Sequence, residues 1–329
     1  MIDEKIIIIG AGPCGLSAAI ECQNIGLDPL VIEKGNIVQA LYNYPTHQQF
    51  FSSSQKLEIG NLPFVTEERK PKRNQALAYY REVVRRTHPR IQTFEEVVKV
   101  EKEGTQFSVQ TLTRDGETRL YRAQFVIVAT GYYDHPNFLG IPGEDSPHVF
   151  HYFKEAHPYF NCDVTVIGGK NSSVDAALEL NKAGANVTVL YRGSAYSPSV
   201  KPWVLPEFDS LVRSGQISMH FNANLVEIER DKVVYEQNGE IQSLKCDFVF
   251  AMTGYHPDHD FLKQMGIQID DETGRPAFNP DTMETNVEGI YIAGVIAAGN
   301  NANEIFIENG RFHGEFIAKV IAGRKEITK

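Results

Sequence analysis

The chain has 329 residues, 42% of them hydrophobic and 22% charged, and a formal net charge of −10 at pH 7. That length and balance suit a globular protein of about two domains, and the acidic excess argues against nucleic acid or an anionic membrane as the main partner. No apolar run approaches the ~20 residues of a membrane span, and the mixed charges of Met1-Ile2-Asp3-Glu4-Lys5 are unlike a signal peptide, so a cytoplasmic protein is expected.

Lys5–Lys34 reads as a β-branched strand, a glycine turn, an Ala-rich helix and a second apolar strand. The turn is Gly10-Ala11-Gly12-Pro13-Cys14-Gly15, and the second strand ends Val31-Ile32-Glu33. Such a unit points a helix N-terminus at a phosphate, and its glycines let a pyrophosphate approach the backbone. Glu33 stands 23 residues after Gly10 (33 − 10), where a carboxylate accepts hydrogen bonds from an unphosphorylated ribose. Gly10, Gly12, Pro13, Cys14, Gly15 and Glu33 are therefore candidates for binding an adenine dinucleotide with a free ribose.

Arg69-Lys70-Pro71-Lys72-Arg73 follows as a solvated basic loop, and Val97–Arg122 is a predicted hairpin turning at Asp115-Gly116. Phe125–Val128 is a buried strand running into Ala129-Thr130-Gly131-Tyr132, and the Pro/Gly-rich stretch Pro136–Pro147 is a predicted linker. Asp163–Arg192 then repeats the first unit at an offset of 158 (168 − 10): Gly168 matches Gly10, Gly184 matches Gly26, and Ala176-Ala177 match Ala18-Ala19.

The copies differ where ligands are told apart. Lys170 replaces the second glycine, Ser173 the third, and Tyr191 stands where the first copy has Glu33, with Arg192 after it. A missing carboxylate and an added guanidinium suit a ribose carrying a 2′-phosphate. Gly168, Gly169, Lys170, Asn171, Ser172, Ser173, Tyr191 and Arg192 are thus candidates for NADPH. Phe248–Tyr255 echoes Phe125–Tyr132 and adds Thr253 and Gly254 to that set. Gly289–Gly294 reads as a strand entering a turn, and Glu304–Ile321 as one long helix.

Two such units imply two dinucleotides, and a protein holding two usually passes a hydride between them. The predicted fold is α/β, with two Rossmann-like three-layer dinucleotide-binding domains. An FAD domain of residues 1–145 and 262–329 receives an NADPH domain of residues 146–261 as an insertion. Cys14, Cys22, Cys162 and Cys246 form no CxxC pair and no metal-ligand spacing, so neither a dithiol shuttle nor a metal site is expected.

The organisation resembles the flavoprotein pyridine-nucleotide reductases of the low-molecular-weight thioredoxin reductase type, over essentially the whole chain but without their dithiol. It is more similar to the bacillithiol disulfide reductases (bacilliredoxin reductases) of Gram-positive bacteria. The segments that carry this are Gly10–Gly15 with its cysteine, Asn43–His47, Phe51–Ser54, His151–Phe160, Gly168–Ser172 and Tyr291–Asn300. The resemblance implies FAD, NADPH, a homo-oligomer and reduction of a low-molecular-weight thiol's disulfide. It also implies that Lys34, Gln39, Tyr44, His47, Val98, Thr130, Gly131 and Gly294 join the FAD site, and that Cys14 is the catalytic nucleophile. One departure is that the Gly-Asp holding the flavin ribityl chain in the wider class is Gly294-Val295 here.

On residue chemistry alone Cys14 stays open. A helix N-terminus stabilises an anion by roughly 0.3–1 kcal/mol, less than the ~1.4 kcal/mol of one pKa unit. A thiol of ordinary pKa, about 8.5, therefore stays mostly protonated at pH 7 unless a cation or donor assists. A small residue packing the turn is the bland alternative. Disulfide reduction through Cys14 competes with NADPH:ferredoxin or flavodoxin reduction, which needs no cysteine. It also competes with flavin monooxygenation, whose Phe-Ser-Asn-x-x-Lys element Phe51-Ser52-Ser53-Ser54-Gln55-Lys56 is similar to, with Ser53 in place of Asn. An FAD-binding redox sensor is the non-enzymatic alternative. Lys56, Arg69 to Arg73 and Lys201 are the cations available to the carboxylates of bacillithiol.

Overall fold

A computed structural model describes residues 1–327 of the chain, which divide into two compact units, Met1–His135 with Tyr255 onward, and Pro136–Gly254. In the first unit β1 (Ile2–Ile9) leads through the glycine turn into α1 (Pro13–Asn24) and β2 (Leu30–Glu33). A short α2 (Gln39–Asn43) and α3 (Arg73–Thr87) precede β3 (Arg90–Thr93), β4 (Glu95–Glu103), β5 (Gln106–Thr113) and β6 (Thr118–Val128). Ile6–Ile9 and Val126–Val128 are buried because a parallel sheet is covered on both faces. The predicted hairpin is a three-strand meander, β4-β5-β6, because Gly104 (φ 64°) adds a second turn to the one at Gly116 (φ 82°).

The second unit contains β7 (Val149–Phe150), β8 (Asp163–Ile167), α4 (Asn171–Lys182), β9 (Asn186–Leu190), α5 (Leu205–Arg213) and β10 (Ile217–His220). A three-stranded antiparallel meander, β11 (Ala223–Ile228), β12 (Lys232–Gln237) and β13 (Glu240–Lys245), leads to β14 (Phe248–Ala251). The parallel sheet runs β10-β9-β8-β14-β7. Helix α4 begins and ends 158 residues after α1 (171 − 13, 182 − 24), so the repeat read in the sequence is a repeat of structure.

The chain then returns to the first unit with α6 (His259–Gln264), β15 (Ile290–Ile292), α7 (Ile307–Gly310) and α8 (His313–Ile327). Strand β15 pairs parallel to β6 and completes the order β3-β2-β1-β6-β15. Helix α8 lies on α1 while β4 folds back over β2, which gives the three layers.

Two expectations need correcting. The expected linker belongs to the second unit: Leu139 and Ile141 pack against its core, Glu144 accepts the N–H groups of Leu139 and Gly140 at 2.7 Å each, and Pro142 accepts from Ile228. At the other crossing, Phe261 packs on the core of the first unit. The units therefore divide before Pro136 and after Gly254, earlier on both sides than the composition suggested. The single long helix over Glu304–Ile321 is two helices. Asn309 folds its side chain back onto Phe306 N–H (2.7 Å) and Glu304 C=O (2.9 Å), closing the first after one turn.

Candidate functional site

The first glycine turn shapes a cavity. Gly10 (φ 105°) sits so close to β6 that a Cβ would lie 2.6 Å from the carbonyl of Ala129, and a Cβ on Gly15 would overlap the carbonyl of Gly10. These two glycines let α1 start hard against the sheet. Gly12 differs: a Cβ there would meet nothing within 4 Å. Its open side faces a cavity of about 650 Å³, within the ~300–1,000 Å³ of cofactor pockets. Pro13 occupies the first helical position, where its missing N–H costs nothing.

The walls of that cavity contain Gly10, Gly12, Pro13, Cys14, Glu33, Lys34, Gln39, Tyr44, Val98, Thr130, Gly131 and Gly294 from the sequence-predicted set. Gly15 acts behind the wall by packing, and His47 is exposed and does not line it. Glu33 Oε2 accepts from Ala11 N–H at 2.7 Å and Oε1 from Gly35 N–H at 2.8 Å. Burial raises its pKa above the ordinary carboxylate value, and the two backbone donors partly offset that. Lys34 pairs with Asp134 at 3.0 Å. Val98 is the extra residue of a β-bulge between Val97 and Lys99, which turns it toward the cavity. A glycine turn with an open second glycine, a buried acid and a long cleft between Val98 and Cys14 fits FAD.

Cys14 stands at the other end. Its sulfur is walled by glycines: a Cβ on Gly294 would lie 3.0 Å from Sγ and one on Gly310 3.1 Å. Gly294 is fixed in turn by its N–H, which donates to His313 Nδ1 at 3.1 Å, and Val295 lines the cavity beside it. Burial alone pushes the Cys14 thiol up to about 12, so at pH 7 it is overwhelmingly protonated. Neither a cation nor a hydrogen-bond donor lowers it among the described residues. Asp134, Ile307, Gly310 and His313 were missed in the sequence, since each reaches the site by tertiary contact and carries no local motif.

In the second unit Gly168 (φ 133°) repeats the geometry of Gly10, with a Cβ falling 2.6 Å from the carbonyl of Met252. Tyr191 takes the place of Glu33, and its ring lies where a Cβ on Gly169 would be, so that contact requires glycine. Arg192 is exposed at the end of β9. Lys170 and Ser172 are exposed, whereas buried Ser173 donates to Lys170 C=O at 2.8 Å. Asn171 holds the Ser199–Lys201 loop, donating to Ser199 C=O and accepting from Lys201 N–H, both at 2.9 Å. Thr253 donates to Asn137 C=O beside Gly254 (φ 92°). No group of His, Cys, Asp and Glu could hold a metal ion, and no helix is long and apolar enough to cross a membrane, among the described residues.

Two glycine-turn units, one inserted in the other, with a lone cysteine on the cavity wall, define a two-dinucleotide reductase. The chain belongs to the pyridine nucleotide-disulphide oxidoreductases, whose family model matches residues 7–294, and as a member it is an oxidoreductase that works with FAD and NADPH. Among particular proteins it is similar to the bacilliredoxin reductase Bdr of Bacillus subtilis (strain 168), 65% identical over 99% of both chains. Two solved structures agree. The bacillithiol disulfide reductase Bdr (YpdA) from Bacillus cereus is 66% identical, with a TM-score of 0.97 over 98% of this chain and 99% of that one. The Staphylococcus aureus counterpart is 57% identical, with a TM-score of 0.95 over 99% and 100%.

Proposed function

We propose that the chain reduces bacillithiol disulfide to two molecules of bacillithiol with electrons from NADPH. The observation that carries this reading is the Cys14 sulfur on the wall of the dinucleotide cavity, in a chain with full-length similarity to two solved structures named for that reaction. Gly10, Gly12 and Pro13 offer backbone and a helix N-terminus to the pyrophosphate of FAD, and Glu33 offers acceptors to its ribose. Gly168–Ser173 and Arg192 do the same for NADPH and its 2′-phosphate. When bound, FAD supplies a two-electron relay between the pyridine nucleotide and sulfur.

Cys14 Sγ forms a bond to one sulfur of the substrate as the substrate's own S–S bond breaks, and the Cys14 proton leaves with the second bacillithiol. The hydride equivalent of NADPH (two electrons and one proton), with a second proton from solvent, returns Cys14 to the thiol and releases the first. The sum is NADPH, one proton and one disulfide giving NADP⁺ and two thiols. Because burial raises the pKa of the thiol to about 12, the attacking thiolate is drawn from a small equilibrium fraction. The same reading makes the protein cytoplasmic, homo-oligomeric and specific for a small disulfide.

A second reading, NADPH:ferredoxin or flavodoxin reduction, is favoured by that protonated thiol. Steady-state NADPH oxidation with bacillithiol disulfide, glutathione disulfide and ferredoxin side by side separates them. Fastest turnover with bacillithiol disulfide supports the first reading. Turnover with ferredoxin alone replaces it.

A further inference from the structure

Glu95, the first residue of β4, is wholly buried although it carries a carboxyl group. Donors from β5 and β6 converge on it. Thr111 Oγ1 and Tyr121 OH donate to Oε1 at 2.5 and 2.8 Å, and Arg119 Nη1 donates to Oε2 at 2.8 Å. A buried carboxylate is tolerated only when it is paired and hydrogen-bonded, and this one is both.

The acid stands beside the bulge. Glu95 and Val97 face the interior opposite Thr113 and Thr111, whereas Val100 faces it opposite Val109. Side chains alternate along a strand, so the change of phase between Val97 and Val100 demands one surplus residue. That residue is Val98, on the cavity wall. The sequence permits another solution. Glu95-Glu96-Val97-Val98 is two acids followed by two valines. The pairing of Lys99 with Gln110, extended without a bulge, puts Val98 opposite Thr111 and Glu96 opposite Thr113. Each inward residue thus has a stand-in one place along, and burial of apolar surface does not choose between the registers. Backbone ties at Phe94 favour the bulged one: its N–H donates to Gly35 C=O and its C=O accepts from Arg114 N–H, both at 2.9 Å. They hold Phe94 at φ 57°, a region that an aromatic residue enters at a cost, which offsets part of their hold.

We propose that Glu95 is a positioning residue of the FAD cavity. It gives Thr111, Arg119 and Tyr121 their carboxyl group in the bulged register and so keeps β4 from slipping by one residue. A slip would hand those donors to Glu96 and turn Val98 away from the wall. The proposal rests on the reading of this cavity as the FAD site.

The test uses the full-length protein stripped of FAD. Glu95→Ala leaves the donors only Glu96, and is expected to weaken FAD binding at least about tenfold in a fluorescence titration. Glu95→Gln keeps the shape but leaves Arg119 without its charge partner. It is expected to move the affinity in the same direction, and it carries the test alone if Glu95→Ala does not fold. Glu96→Ala is expected to leave the melting temperature of the parent unchanged and to lower that of Glu95→Ala, since only there is the second acid buried. A merely structural Glu95 would lower the melting temperature and leave FAD affinity at the parent value; that result in both Glu95 variants overturns the proposal. Equal effects of Glu96→Ala in the parent and in Glu95→Ala overturn the slipped register. Gly12→Leu, whose side chain grows into the cavity, tests the underlying reading separately. It is expected to abolish FAD binding, and parent affinity there would place FAD outside this cavity.

Discussion

Ala11 N–H donates to Glu33 Oε2 at 2.7 Å, so the acid that ends β2 is fastened to the turn that opens α1. Glu33 thus holds the cavity wall, in addition to the ribose-binding role proposed for it. Glu33→Gln keeps the size but turns an acceptor into a donor facing another donor whenever its amide nitrogen points at Ala11. Loss of a buried hydrogen bond costs about 1–3 kcal/mol. We expect the variant to lower the melting temperature of the FAD-free protein and to weaken FAD binding at least about tenfold, read by fluorescence of released flavin. A variant with parent affinity and parent melting temperature would remove Glu33 from the site.

Arg192 stands exposed after Tyr191 in the repeat unit whose acid is missing. A charge-assisted contact to a 2′-phosphate contributes about 1.5–3 kcal/mol. Arg192→Glu should therefore narrow the preference for NADPH over NADH by at least about tenfold in kcat/KM. Equal use of both nucleotides by the parent protein would dismiss the assignment.

Cys14→Ser keeps the side chain small and gives the first turn the hydroxyl that the second carries at Ser172. Flavin should stay bound and be reduced by NADPH at nearly the parent rate in stopped flow, while disulfide-dependent thiol release collapses, a hydroxyl being a poor nucleophile without a partner base. Parent-rate thiol release by Cys14→Ser would end the nucleophile assignment. The raised pKa of the parent thiol, about 12, adds a pH signature. Below that value the thiolate fraction grows about tenfold per pH unit, so single-turnover attack on the disulfide should accelerate steadily from pH 6 to 9 without a plateau.

Gly314 places α8 on α1 so closely that a Cβ would overlap Ala18, whereas a Cβ on Gly323 of the same helix would meet nothing within 4 Å. Alanine is favoured over glycine in a helix by about 1 kcal/mol, yet overpacking costs about 1–3 kcal/mol. Gly314→Ala should lower the melting temperature and Gly323→Ala raise it. If both rise, the α1–α8 contact is looser than described.

The doubled strand–turn–helix unit was legible because its glycines are enforced locally: Gly10 and Gly168 both need a left-handed φ and both press on a neighbouring strand's carbonyl. The matching places of Glu33 at the end of β2 and Tyr191 just after β9 were legible from spacing for the same reason. The unit boundary was not, since Pro and Gly mark an irregular path and Leu139 and Ile141 decide which core it joins. The surroundings of Cys14 were also hidden. Gly294, Gly310 and His313 lie far along the chain, and nothing local to them signals that they meet a sulfur near the N-terminus.

Strand β15 pairs with Val126–Val128 of β6 after the chain has built the whole second unit. On the ribosome residues 136–254 are complete and free to fold while the first unit still lacks a strand. Until Ile290–Ile292 emerge, the apolar edge Val126-Ile127-Val128 is a bare parallel edge, a template for pairing with another nascent chain. The order of synthesis thus makes the inserted unit the first to mature and the flavin cleft the last to close. Slowed translation between residues 254 and 290 should raise the aggregated fraction of newly made protein more than the same pause placed before residue 118.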